Sequence, residues 1–331
     1  MKGRILEKAA AVVCALVMGV GVMSGAVLAK DGEIPETPAA SPEPPEATFV
    51  VVDMDLPASP ADAGIADVLP ASDTELSLPE TASPAEVTDN RSSVPLLVAG
   101  ETVAACPIIG GIPYADAATF CRALGLDIST SVTDESATLS GAIELTAHAD
   151  DIWFRCNGRC LLAENGVRLQ NGQALLPVRA LTKCLGVTAY WDRVQWTVSI
   201  DDPTVIPLES GDTFYDETDL YWLSRAIYAE AGSQSLRGQI AVGNVVMNRI
   251  ADGSFAEQNN VYDVIFAKNQ FEVVSNGMIY MEPDNTAILA AKIALEGFDV
   301  TGGATYFATF DFGEGYECLT WIEDHCFMVE A

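Results

Sequence analysis

Ser224-Arg225-Ala226-Ile227-Tyr228-Ala229-Glu230-Ala231, followed by Gly238-Gln239-Ile240-Ala241-Val242-Gly243-Asn244-Val245-Val246-Met247-Asn248-Arg249, is the stretch on which the reading of this chain turns. Both runs carry apolar residues at helical spacing. Asp216 is placed to cap a helix bearing Leu220, Leu223, Ile227 and Glu230. Leu223, Ile227 and Glu230 are spaced at i, i+4 and i+7 and share one face. A carboxyl group therefore sits on an apolar stripe. Periodicity alone leaves two readings of it. Glu230 is either a helix-end carboxylate that reaches solvent, or a desolvated acid whose neutral form is favoured by burial. A general acid working near neutral pH needs the second property.

More motifs follow in order. Val261-Tyr262-Asp263-Val264-Ile265-Phe266 precedes Gln270-Phe271, then Asn276-Gly277 and Tyr280. Ala290-Ala291-Lys292 and Ala294-Leu295-Glu296-Gly297 lead into Asp299-Val300-Thr301-Gly302-Gly303-Ala304-Thr305-Tyr306-Phe307, and Asp324-His325-Cys326-Phe327 comes last. In this order and at these spacings, residues 220–328 resemble the SleB-type cell wall hydrolase family, the spore-cortex-lytic enzymes and their vegetative relatives. The resemblance implies an α+β domain of the lysozyme or lytic-transglycosylase kind over residues 214–331. It implies peptidoglycan as partner and cleavage of the β-1,4 bond between N-acetylmuramic acid and N-acetylglucosamine, with no cofactor. The family's acid/base is the glutamate of a Tyr-x-Glu-Ala motif, which here falls on Tyr228-Ala229-Glu230-Ala231.

Such chemistry delivers a proton to the leaving oxygen while positive charge builds at the anomeric carbon. A lytic transglycosylase needs one carboxyl group, because the sugar's own C6 hydroxyl replaces water. Hydrolysis calls for a second carboxylate, and Asp263, Glu272 and Asp299 are the candidates that sequence does not rank. Tyr228, Gln234, Gln270, Phe271, Tyr280 and Tyr306 are assigned to a sugar groove, since rings stack on sugar faces and amides bond to hydroxyls. Phe271 serves equally well as core. Thr301, Gly302 and Gly303 read as a tight turn of close backbone approach. His325 matches the family's closing His-x-Phe and either binds substrate or pairs within the fold. Asn248 and Arg249 close the second helix, with Arg249 near its negative end. One departure stands out: the family's Arg-Gly-Glu is Gly232-Ser233-Gln234 here, which keeps hydrogen bonding without charge. It leaves a wall-binding protein without activity as the alternative.

Upstream, residues 99–205 read as a small α+β domain containing a weak repeat. Ala117–Leu126 and Val178–Val187 are each a short helix stopped by glycine. Gln173-Ala174-Leu175-Leu176-Pro177 is a strand feeding the second helix. Tyr190 to Ile200 reads as one half-buried strand, with Val194, Trp196, Val198 and Ile200 alternating. Leu176-Pro177-Val178-Arg179-Ala180, Leu185-Gly186-Val187 and Trp191-Asp192 resemble the copper amine oxidase N-terminal-like stalk domain. That module implies a spacer or a contact with wall or surface proteins, and neither copper nor oxidase chemistry. Arg179 reads as a structural ion-pair partner.

Residues 30–98 are rich in Pro, Ala, Ser, Thr and acids, and read as a disordered linker. Within it Phe49-Val50-Val51-Val52 is strand-like, but isolated it reads as a sticky spot. Residues 1–29 read as an export signal: Lys2, Arg4 and Lys8, an apolar run from Ala9 to Val27, and a cut after Ala29. An uncleaved anchor is the rival reading. Either way the protein is expected outside the cytoplasm, in the cell wall or spore envelope. The formal net charge of -30, with 17 Lys+Arg against 47 Asp+Glu, excludes nucleic acid as partner. Cys156-x3-Cys160 lacks the further ligands of a structural zinc site, as the two histidines are His148 and His325. Cys318 and Cys326 are expected to form a local disulfide.

Overall fold

The computed structural model describes residues 49–52 and 92–331, apart from positions 193 and 269. The export signal and most of the Pro-rich segment lie outside the described residues. Among the described residues no helix is long and apolar enough to cross a membrane.

The first part of the chain is β1 (Phe49–Val52), β2 (Ser93–Val98), β3 (Glu101–Ile109), β4 (Ile112–Asp116), α1 (Ala117–Ala123), β5 (Ile128–Val132), β6 (Ser136–Gly141), β7 (Leu145–His148), β8 (Trp153–Cys156), β9 (Arg159–Leu162), β10 (Arg168–Gln170), β11 (Gln173–Pro177), α2 (Val178–Leu185), β12 (Ala189–Asp192) and β13 (Thr197–Ile200). One sheet has the order β1-β12-β13-β2-β3-β4-β11-β10, and β5 to β9 form a meander. The repeat seen in sequence is two strand–helix units side by side: β4 feeds α1, β11 feeds α2, and Leu176 pairs with Ala115. Asp116 caps α1 by accepting from the Thr119 N–H at 3.0 Å and ties β11 down through the Ala174 N–H at 3.1 Å. Gly186 ends α2 at φ 60, where a Cβ would meet the Ile206 carbonyl oxygen at 2.1 Å. No other residue fits there.

Three expectations change here. The domain starts before residue 99, because Ser93–Val98 is a strand with Val94, Leu96 and Val98 facing the core. Phe49–Val52 is an edge strand, parallel to β12. Tyr190 to Ile200 is a hairpin: Tyr190 pairs with Ser199 and Trp191 with Val198. Asp192 turns the chain by accepting from the N–H groups of Val194 (2.8 Å) and Gln195 (2.9 Å). Val194 is accordingly 73% exposed. The alternation was real only from Val198 onward.

The second part runs α3 (Gly211–Phe214), α4 (Glu217–Ala231), α5 (Leu236–Ala251), α6 (Val261–Phe266), α7 (Glu272–Ser275), α8 (Asn285–Leu295), β14 (Tyr306–Ala308), β15 (Tyr316–Ile322) and β16 (His325–Glu330). Together the two parts give the mixed α+β architecture. Asp216 caps α4 by accepting from the N–H groups of Thr218 (2.9 Å) and Asp219 (3.0 Å). Helices α4, α5 and α8 pack on each other around Leu223, Ile227, Ile240, Val246, Ala290 and Ala294. The last three strands form a sheet in the order β14-β16-β15. Cys318 and Cys326 are joined as a disulfide with a Cα–Cα distance of 6.3 Å. Cys106, Cys121, Cys156, Cys160 and Cys184 are free and buried.

Gly243 sets the spacing of these helices. A Cβ on it would lie 2.9 Å from Ala294 Cβ and 3.0 Å from Ile227 Cδ1. Both neighbours are fully buried, so neither has room to yield. Gly243→Val is expected to cost about 2–3 kcal/mol by overpacking, read as a lower urea midpoint with an unchanged slope.

Candidate active site

Glu230 lies in the last turn of α4, one turn beyond Ile227. It is part-buried, so the apolar stripe carries it inward rather than out to solvent. Burial is the main cause that pushes its carboxyl up, from the ordinary 4.5 to about 7. The charge of Glu272 adds to the rise, and the nearby backbone N–H of Val273 works against it. No Arg or Lys is among these influences. The group is therefore about half protonated at neutral pH.

The three carboxylates that sequence left unranked separate clearly. Asp263 is committed to its own helix start: its Oδ2 accepts from Asn260 Nδ2 (2.9 Å) and the Asn259 N–H (3.3 Å). Asp299 is committed to the following turn, accepting from the Thr301 N–H (2.7 Å), Thr301 Oγ1 (2.6 Å) and the Gly303 N–H. Glu272, exposed at the start of α7, is the one whose charge reaches Glu230.

Gln270 and Phe271 directly precede that carboxylate. Gln270 Oε1 accepts from Arg249 Nη1 at 2.9 Å, which orients its amide. Arg249 lies in the last turn of α5, as the sequence indicated, and does more than close the helix. It is 4% exposed, donates from Nε to the Thr305 carbonyl at 2.7 Å, and lies 5.2 to 5.6 Å from the rings of Tyr306, Phe255 and Phe271. One guanidinium thus gathers Gln270, Phe271 and Tyr306. Phe271 is buried, which gives it a core face, and it meets Phe307 at 6.4 Å. His325 is buried against Phe307 and Phe327, and Nδ1 has no hydrogen-bond partner. Desolvation lowers its pKa, so the ring is neutral at pH 7.

The Thr301-Gly302-Gly303 turn, which follows α8, is held against the end of α5. Asn248 Nδ2 donates to Thr301 Oγ1 (3.3 Å) and to the Ala304 carbonyl (2.9 Å). Thr301 is buried, while Gly302 (φ 76) and Gly303 (φ 91) are exposed. Tyr228 packs on Gly232, whose absent Cβ would lie 3.1 Å from the ring. Tyr280 is 64% exposed and lies apart from these groups, edge-on to Trp222 two turns upstream of Glu230. Gln234 donates from Nε2 to Asp324 Oδ2 at 3.3 Å, so its amide already serves the β15–β16 turn. Sequence reasoning did not find the Val273 N–H, which has no side-chain signature, or the organising role of Arg249. Among the described residues no cluster of three or more His, Cys, Asp or Glu could hold a metal ion.

Two comparisons cover the two parts of the chain separately. The Cell Wall Hydrolase family matches residues 233–328, beginning just past Glu230. The Copper amine oxidase N-terminal domain matches residues 97–200. The chain is 42% identical over 93 residues to a spore cortex-lytic enzyme of Halalkalibacterium halodurans, covering 28% of each protein. It is 38% identical over 93 residues to that of Bacillus cereus, covering 28% of this chain and 35% of the relative. The chain thus spans about a third of the length of the curated relatives it matches. The solved catalytic domain of the Bacillus cereus SleB protein is 33% identical, with a TM-score of 0.31, over 34% of this chain and 91% of that one. One chain thus joins a stretch that matches the cell wall hydrolase family, residues 233–328, to one that matches the copper amine oxidase N-terminal domain, residues 97–200.

Proposed function

We propose that the chain cleaves peptidoglycan glycan strands at the β-1,4 bond between N-acetylmuramic acid and N-acetylglucosamine, as a lytic transglycosylase with Glu230 as acid and then base. The observation that carries this reading is the carboxyl of Glu230, raised to about 7 by burial and lying just before the stretch that matches the cell wall hydrolase family. Protonated, it donates to the leaving oxygen. Ionised, it accepts the proton of the C6 hydroxyl as that oxygen attacks the anomeric carbon. A group balanced near pH 7 performs both halves of such a cycle. The Gln270 amide, fixed by Arg249, and the exposed backbone of Gly302 and Gly303 are suited to bind sugar hydroxyls and acetamides. Neutral contacts of this kind suit a chain of net charge -30 acting on an acidic wall. By this reading the protein acts outside the cytoplasm.

The proximity of Glu272 favours a second reading, in which Glu272 activates water and the product is a reducing sugar. The mass of released muropeptides decides: a 1,6-anhydro end supports transglycosylation, and a mass higher by one water supports hydrolysis. Glu230→Gln is expected to lower wall clearing by about 10³-fold or more; unchanged clearing would falsify the role of Glu230. Glu272→Gln removes the smaller of the two raising influences. Under transglycosylation it moves the alkaline limb of the pH profile from near 7 to lower pH and keeps the turnover at acid pH. Under hydrolysis it abolishes turnover at every pH.

Stability carries an independent sign. The native carboxyl of Glu230 holds its proton up to about pH 7, whereas the unfolded one loses it near 4.5. Its contribution is fully present below pH 4.5 and is lost as pH rises through 7. Glu230→Gln, which cannot ionise, is expected to match the parent in stability at pH 4. At pH 8 it should exceed the parent by up to about 3 kcal/mol. Equal stabilities at pH 8 would remove the desolvated-acid account.

A further inference from the structure

Glu296 follows the last residue of α8, and its side chain has no exposed surface. Arg159 of β9 meets it with two parallel bonds, Nε to Oε1 at 2.8 Å and Nη2 to Oε2 at 2.7 Å. Lys183 of α2 lies 3.2 Å from Oε2 and also donates to the Glu296 carbonyl. The Tyr215 hydroxyl donates to Oε1 at 2.8 Å and accepts from the Cys160 N–H at 2.8 Å. Arg159 is itself 3% exposed and covers the Phe214 ring at 3.3 Å. Two cations from the stalk thus close on one carboxylate of the hydrolase domain. An ion pair buried this deeply adds little over an apolar contact of equal volume, but breaking it is costly. Its effect is to fix position.

The fixed position is passed on at once. Phe298, two residues along, lies beneath Arg179 and Lys183 at 5.6 and 5.4 Å. Its carbonyl accepts from Asn244 Nδ2 at 2.7 Å, and Asn244 Oδ1 accepts from the Val300 N–H at 2.9 Å. Asp299 then holds Thr301 and Gly303, and Asn248 holds Thr301 and Ala304. From Glu296 to the glycine turn the backbone is pinned at nearly every residue.

We propose that Glu296, held by Arg159 and Lys183, is a positioning residue for glycan binding: through it the stalk domain sets the Thr301–Gly303 turn and is a working part of the glycan site, not a spacer. This rests on the glycan-cleaving reading above. The test uses the full chain and two variants, Arg159→Ala and Lys183→Met, the second leaving the Arg159–Glu296 pair in place. Amide exchange of residues 298–304 is followed by mass spectrometry, a readout that needs no activity. We expect it to quicken about tenfold or more in Arg159→Ala while the middle of α4 keeps its protection. On purified cell walls the half-saturating glycan concentration should rise about fivefold or more, with turnover and the pH profile unchanged. Arg159→Lys should recover part of both effects.

Parent-like exchange at 298–304 in a folded Arg159→Ala chain overturns the proposal. So does faster exchange with unaltered half-saturation. If Arg159→Ala does not fold, the same readouts on Lys183→Met decide, with smaller shifts in the same direction. Should the parent prove unable to cleave glycan, the functional reading fails by itself. Binding of the chain to sedimented walls then gives the half-saturation, and parent-like binding by the variants overturns the positioning role.

Discussion

The carboxylate of Glu296 cannot remain charged and dry without counter-charges, and this requirement organises the molecule. Among the described residues the cations paired with it, Arg159 and Lys183, come from the stalk, 137 and 113 positions away in sequence. Tyr215, in the stretch joining the two domains, completes the shell. Separating the domains would leave a buried charge stripped of partners on one side and an uncompensated arginine on the other. Such a break costs several kcal/mol, so the two domains behave as one body and not as beads on a string.

Glu230 presents the same physical problem with the opposite solution. It too is a carboxyl at a helix end, but no Arg or Lys is among the influences on it and Glu272 adds a like charge. Desolvation is then relieved by taking up a proton. Two glutamates at two helix ends thus diverge in chemistry through their surroundings alone. Glu296 is met by two cations and a hydroxyl that hold it in place; Glu230, without them, is raised toward neutral pH and is suited to move protons. The Val273 N–H works against the rise.

This contrast marks what was legible in the sequence. Helix α4, its Asp216 cap and the position of Glu230 on the apolar face follow from local spacing, and the structure keeps all three. The paired strand–helix units of the stalk were legible for the same reason, since a glycine after a short helix is a local signal. What was not legible is long-range. Ala294-Leu295-Glu296-Gly297 looks like an ordinary helix end, because its partners are far away in the chain. Tyr190 to Ile200 misled for a different reason. Side-chain alternation hid an Asp192 turn that reverses the strand, and local hydrogen bonding to Asp192 outweighed the period-two pattern. Phe49–Val52 likewise found an edge that only the folded sheet provides.

Gln234 is where the family pattern and this chain part, and the structure supplies a reason that is independent of catalysis. The β15–β16 turn brings Glu323 and Asp324 against the start of α5. Glu323 accepts from the Ser235 N–H at 2.9 Å, and Gly238 leaves room for it, as a Cβ there would sit 3.3 Å from Oε2. A carboxylate at that position is favoured by the positive end of the helix. Asp324, beside it, takes its hydrogen bond from Gln234 Nε2. A glutamate at 234 would have no proton to give Asp324 at neutral pH and would set a third negative charge at the same spot. The neutral amide therefore suits this acidic turn better than a carboxylate would. In this chain the amide of Gln234 thus serves the docking of the last hairpin.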